Sequence, residues 1–184
     1  MSEVQAGMLL VATPALRDPN FTSTVILLLD VADDGVLGVV LNRPTALSVS
    51  HVLAPWADVV AQPEVLFSGG PVETEGALAV ALRRTDEEAI GFRPVVDRLA
   101  LLDLDTPVEL VAADLDGLRI FAGYAGWGTD QLGAEIDEGS WYVVPGSADD
   151  VFRSDSARLW RDVLRRQPGD LAMHSTRPGD PDLN

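Results

Sequence analysis

"FAGYAGWGTDQLGAEIDEGSW", Phe121–Trp141, holds two of the chain's four tryptophans and five glycines. Phe121 closes an apolar run, Leu118–Gly123, that reads as a strand. Gly123, Gly126 and Gly128 then allow the backbone to turn sharply and approach its neighbours. Thr129 is placed to cap a short helix over 130–137, and Gly139 to close it. Leu132 and Ile136, four apart, face the core of that reading. Gln131 and Glu135, also four apart, share an adjoining face, where they can hydrogen-bond each other or point together into a cleft. Tyr124, Trp127 and Trp141 can wall such a cleft. A packed aromatic corner with satisfied polar groups is the simpler alternative, and it is preferred because aromatic clusters are usually core.

The segments on either side set the fold class. Met8–Thr13, Thr24–Val31 and Val36–Asn42 are apolar and β-branched, and the turn sequence "ADDG" joins the last two as an antiparallel hairpin. Further strands are read at Glu64–Val72, Gly76–Leu82, Arg98–Asp105 and Ser140–Gly146. Leu47–Ala57 carries a short helix with Ser48 or Ser50 near its start. In "TPVELVAADLDG", Thr106 is placed to cap, Pro107 to open a helix and Glu109 to complete a capping box. Ser154–Arg166 is the clearest helix, with Leu159, Trp160, Val163 and Leu164 on one face. The segment 83–94 and the acidic "ADD" at 148–150 read as solvated surface. No repeat or linker divides the chain. The expectation is one α+β domain over residues 1–184, with a largely antiparallel or mixed sheet and an irregular tail over 171–184.

Composition narrows the function classes. Of 184 residues, 47% are hydrophobic, which suffices for a core. The net charge is -16 from 29 acidic and 13 basic residues, and every basic residue is arginine. Such a field repels phosphate backbones and anionic lipid, so direct nucleic-acid or membrane binding is disfavoured. The absence of cysteine excludes disulfides and thiolate chemistry. The N-terminal stretch lacks a basic start and a long apolar core, and no apolar run reaches the ~20 residues that span a bilayer, so a soluble cytoplasmic protein is expected.

No motif specifies a reaction. Ser68 precedes Gly69-Gly70 and could sit beside free N–H groups, but a tight turn explains the pattern without a partner base. His51 and His174 lie in no metal-ligand motif, and the acidic clusters lack calcium-loop spacing, so neither a metal nor a cofactor is implied. "GYAGWG" lacks the spacing and the lysine of a nucleotide loop. Arg153, Arg158, Arg161, Arg165 and Arg166 complement a helix C-terminus, and Arg158 can pair with Asp155 or Asp162.

The order of "GMLLVATPALRDPNF", "VILLL", "GVVLNRP", "FSGGPV", "FAGYAGWGTDQLGAEIDEGSW" and "LWRDVLRR" resembles the YqgE/AlgH family of bacterial proteins, often labelled transcriptional regulators, over nearly the whole chain. The resemblance implies a compact α+β domain whose split, strongly bent sheet forms a pseudo-barrel flanked by helices. It carries over no reaction, cofactor or catalytic residue. The leading expectation is a non-enzymatic binding or regulatory protein, with a protein or small molecule as partner. It would act through a groove lined by Asn20, Phe21, Asn42, Arg43, Ser68, Gly69, Gly70, Tyr124, Trp127, Gln131 and Glu135, which sit at predicted strand ends. A hydrolase centred on Ser68 or Glu135 and a direct DNA-binding regulator are the alternatives.

Overall fold

In a computed structural model of the protein, which describes residues 4–168, the apolar runs pair into one ten-stranded sheet. Strands β1 (Leu9–Ala12), β2 (Val25–Ala32) and β3 (Gly35–Val40) form an antiparallel set. Ala32 pairs with Gly35, so Asp33 and Asp34 are a two-residue hairpin loop. The short β4 (Pro44–Ser48) and β5 (Val65–Ser68) pair with each other. They are separated by the single-turn helix α1 (Val49–Val52), whose N-cap is Ser48 as expected. Then follow β6 (Val72–Arg83), β7 (Phe92–Val96), β8 (Leu99–Leu102), the one-turn helix α2 (Val108–Val111) and the long β9 (Leu115–Gly128). Helix α3 (Gln131–Asp137) leads into β10 (Trp141–Val144), and α4 (Ala148–Phe152) and α5 (Leu159–Arg165) follow. The sheet order is β10-β1-β2-β3-β9-β6-β8-β7, and β5 joins β9 in parallel. The α+β class with a bent, mostly antiparallel sheet therefore holds. The tail at 171–184 and His174 lie outside the described residues.

Strand β9 organises this arrangement. β6 runs along one edge of it, from Leu115 to Tyr124. The other edge is divided: β5 pairs at Phe121 and Ala122, and β3 at Ala125–Gly128. β5 and β6 thus flank β9, yet only residues 69–71 connect them. Two strand spacings are about 9.5 Å, so three residues must run nearly straight over the β9 backbone. The glycines make this approach fit. A Cβ on Gly70 would lie 2.2 Å from the Tyr124 carbonyl, one on Gly69 2.4 Å from the Gly123 oxygen, and one on Gly123 2.4 Å from the Gly70 oxygen. Gly123 also has φ +76, and at this kink the alternation of β9 shifts, so that Phe121 and Tyr124, three apart, both pack on the central core, while residues 73–76 of β6 bulge opposite it.

Several sequence expectations are corrected here. The "GYAGWG" segment closes β9, because Gly126 and Gly128 are paired with β3 and do not turn the chain. Asp130, in a left-handed conformation (φ 66), precedes α3 in place of a Thr129 cap. The Gln131 side chain accepts from the Gly128 N–H at 2.9 Å, which ties the first residue of α3 back to the end of β9. Thr106 caps nothing: its N–H closes a turn onto Asp103, its side chain packs at Gly91, and Pro107, in extended conformation, precedes α2. Segment 83–94 contains the start of edge strand β7, and Arg83 is buried against Asp114 at 2.7 Å. The 154–166 helix is a short 3-10 turn followed by α5, although its four apolar residues are buried as read. Asp162 pairs with Arg153 and Arg165.

"ADD" is not solvated surface throughout. Asp150 is 2% exposed, accepts from the Ser147 N–H at the start of α4, and takes both Arg166 Nη groups at 2.6 and 2.5 Å. Arg119 on β9 is 2% exposed and lies over the Phe67 ring. It donates to the carbonyls of Gln62, Val151 and Arg153, which ties three segments to the sheet. Burial pushes its guanidinium down to about 10, so it stays charged at neutral pH.

The crossing predicts a contrast between two glycines. Gly70→Ala should lose more than about 3 kcal/mol in chemical denaturation, because the new methyl meets backbone. Gly133, inside α3 with open space where a Cβ would stand, should gain about 0.5–1 kcal/mol as Gly133→Ala.

Candidate functional site

The candidate residues fall into three groups. The first surrounds Glu135 on α3. Its Oε1 accepts from Trp127 Nε1 at 3.1 Å and from Trp141 Nε1 at 3.0 Å, and its Oε2 accepts from Gln131 Nε2 at 3.0 Å. Trp127 stands on β9 and Trp141 on β10, with β1, β2 and β3 between them in sheet order. Their ring centroids are nonetheless 6.1 Å apart, so the sheet coils until these strands face each other. Phe21 fills the remaining side, 6.2 Å from Trp127 and 5.7 Å from Trp141. Phe21, Trp127, Gln131 and Glu135 thus converge as expected, but as a latch whose polar groups bind one another.

The second group lies at the end of β3. Asn42 accepts from the Val25 N–H and donates to the Ser23 carbonyl, extending the β2–β3 pairing by side chain. Arg43 donates to the carbonyls of Asn20, Pro19 and Thr22, which pins the loop that carries Phe21. Burial draws the Arg43 guanidinium below its usual range, against the attraction of Asp18. Ser68 enters through its backbone N–H, which donates to the Arg43 carbonyl at 2.8 Å. Its hydroxyl has no hydrogen-bonded base among the described residues.

The third group is the crossing, where Gly69 and Gly70 meet Gly123 and Tyr124. Beside it, Tyr124 lies in an open depression of about 420 Å3 with Leu37, Val72, Gly126 and Trp127, rimmed by Asp30 and Asp34. The Tyr124 hydroxyl makes no hydrogen bond to a described residue. Asp30 reaches Arg93 of β7 at 3.6 Å, a second point at which the coiled sheet approaches itself. Sequence reading missed Asp30, Asp34 and Val72. The "ADDG" turn gave the position of Asp34 but not that it folds over beside Tyr124. Among the described residues no group of His, Asp and Glu could hold a metal ion, and no helix is long and apolar enough to cross a membrane.

The coiled, mostly antiparallel half-barrel with one edge divided at β9 defines the class of protein. The AlgH-like family model, DUF179, matches residues 9–172, and the chain belongs to this family. A UPF0301 protein of Streptomyces avermitilis is 53% identical over all of this chain and 98% of its own length. Another, from Mycobacterium tuberculosis, is 44% identical over 96% of this chain and 89% of its own. The crystal structure of protein DIP2367 from Corynebacterium diphtheriae has TM-score 0.91 at 32% identity, covering 96% of this chain and 94% of that one. The solution structure of AlgH from Pseudomonas aeruginosa shares the fold, with TM-score 0.71 at 24% identity over 97% and 98%.

The latch predicts graded losses. Glu135→Ala leaves two buried indole N–H groups unpaired and should cost about 2–4 kcal/mol in urea denaturation, with altered tryptophan emission. Glu135→Gln keeps an oxygen for the indoles and should cost about 1 kcal/mol.

Proposed function

We propose that the protein is a cytoplasmic, non-enzymatic binding protein that receives a basic segment of a protein partner in the Tyr124 depression and regulates the partner by occupying that segment. The observation that carries this reading is the pairing of an unengaged aromatic hydroxyl and an aliphatic floor with an acidic rim. Apolar contact with Leu37, Val72 and Tyr124 supplies affinity, and Asp30 and Asp34 select for arginine or lysine. The overall charge of -16 favours encounter with a cationic partner.

The alternatives draw less support. Glu135 has its oxygens committed to three donors, and Ser68 has no base in hydrogen-bond reach among the described residues, so a hydrolytic centre gains nothing from either. Arg153, Arg165 and Arg166, three of the five cations of the DNA-binding reading, are paired with Asp162 and Asp150. A regulatory role is therefore better supported through a protein partner than through DNA.

Titration of isotope-labelled protein with short peptides that combine arginine and leucine tests the proposal. The expected result is saturable NMR shifts at Leu37, Val72, Tyr124 and Gly126 that weaken steeply between about 0.05 and 0.5 M salt. Tyr124→Ala with Asp34→Asn should remove them. Shifts that cluster elsewhere, or equal response to acidic peptides, would reject the site.

A further inference from the structure

A second concavity lies where the β7–β8 hairpin meets the start of β1 and the β10–α4 connection. Val96 of β7 packs so closely on Gly7 that a Cβ there would sit 2.4 Å from Val96 Cγ1. Beside this contact the seam opens into a cavity of about 300 Å3, more enclosed than the Tyr124 depression. Leu27, Leu99 and Val151, all buried core residues, form its apolar depth. Asp97 and Arg98, the two residues of the β7–β8 turn, stand on its rim.

These two charges are not equivalent. Arg98 Nη1 already donates to the Arg83 carbonyl at 3.0 Å and to Asp116 at 3.2 Å. Its charge is balanced within the protein. Asp97 makes no hydrogen bond or ion pair with any described residue. The turn holds it in a left-handed conformation (φ 51), at the mouth of an apolar hole, with its charge uncompensated. The volume lies at the lower end of the range for small-molecule sites. The negative field of the molecule raises the local concentration of cations and opposes anions.

We propose that this cavity binds a small molecule with an apolar body and a primary ammonium group, the ammonium resting on the Asp97 carboxylate and the body entering among Leu27, Leu99 and Val151. Two sources share this chemistry. One is a simple aliphatic amine. The other is a free apolar amino acid, whose carboxylate would meet the guanidinium of Arg98. The site is separate from the Tyr124 depression and does not depend on the reading given to it.

Three compounds with one branched apolar body separate the outcomes: leucine, 3-methylbutylamine and 4-methylpentanoate. Binding is read by NMR titration of the full chain, through the amides of Asp97, Leu99 and Gly146. Saturable shifts are expected with at least one of the first two, and at least about tenfold weaker binding of the acid. Asp97→Asn should weaken the ammonium ligand about tenfold; asparagine tolerates the left-handed turn, so the fold is kept. Leucine ahead of the amine, with that lead lost in Arg98→Gln, identifies an amino acid as the ligand. The reverse order identifies an amine. The proposal is overturned if no compound gives saturable shifts up to about 10 mM, if the acid binds as well as the amine, or if Asp97→Asn leaves affinity unchanged.

Discussion

Three residues, Gly69, Gly70 and Pro71, cross from one edge of β9 to the other, and the remaining topology depends on that crossing. β5 and β6 could not flank the same strand through so short a link if any of the three contacts carried a side chain. Because β5 occupies only part of its edge, β3 can pair with the rest, and the Val40 N–H joins them by donating to the Gly69 carbonyl. One strand thereby holds both halves of the sheet. The left-handed kink at Gly123 turns the inward face of β9 over by one residue, so that Tyr124 continues the wall begun by Phe121. Without it the β3 half would present its opposite face to the core.

A sheet held in this way coils, and a coil needs closing contacts. The latch at Glu135 makes one of them. A carboxylate taken from water is costly unless donors replace its hydration, and here two indole N–H groups and a carboxamide do so. The buried charges obey the same rule. Asp150 is met by Arg166 and by the start of α4, and Arg119 by three carbonyls and an aromatic face. In each case the charged group joins separate elements of the fold, and Arg119 reaches the most distant ones in sequence. Breaking such a pair costs more than its net contribution to stability, since the remaining partner keeps its desolvation penalty.

What the sequence disclosed follows from how local each signal is. Apolar runs such as "VILLL" and the two-residue turn after Ala32 act through neighbours in sequence, and they were legible. So were the buried face of α5 and the closing glycine of α3 at Gly139, which has φ +85. The length of β9 was hidden because glycine ordinarily ends a strand, and only the crossing chain explains its presence in the middle of one. Edge strand β7 was obscured by its polar start and by Pro94, which an edge tolerates. Thr106 and Thr129 have the composition of caps, but Pro107 and Asp130 occupy the cap positions instead. Among the candidate site residues, the pairing of Gln131 with Glu135 could be read from helical spacing, whereas the approach of Trp127 from β9 could not. The engagement of Asn42 and Arg43 with the 19–25 segment could not, since it depends on how the loop returns over the sheet.

This distinction bears on what family membership conveys. "FSGGPV" and "GYAGW", two of the segments that carry the resemblance, are the two sides of one backbone crossing. Gln131 of "QL" and the following glutamate tie α3 to the end of β9 and supply the latch. Their chemistry is spent on contacts within the fold, so a resemblance built on them specifies architecture and leaves the ligand open. Capacity for binding lies instead where coiling leaves the sheet incompletely closed, beside Tyr124 and at the seam near Asp97. At both places one polar group has no hydrogen-bond partner among the described residues: the Tyr124 phenol, inside the "GYAGW" segment, and the Asp97 carboxylate, which no motif marks. A search for function in this fold is therefore better directed at polar groups left unengaged along the openings of the coil than at those committed to contacts within the fold.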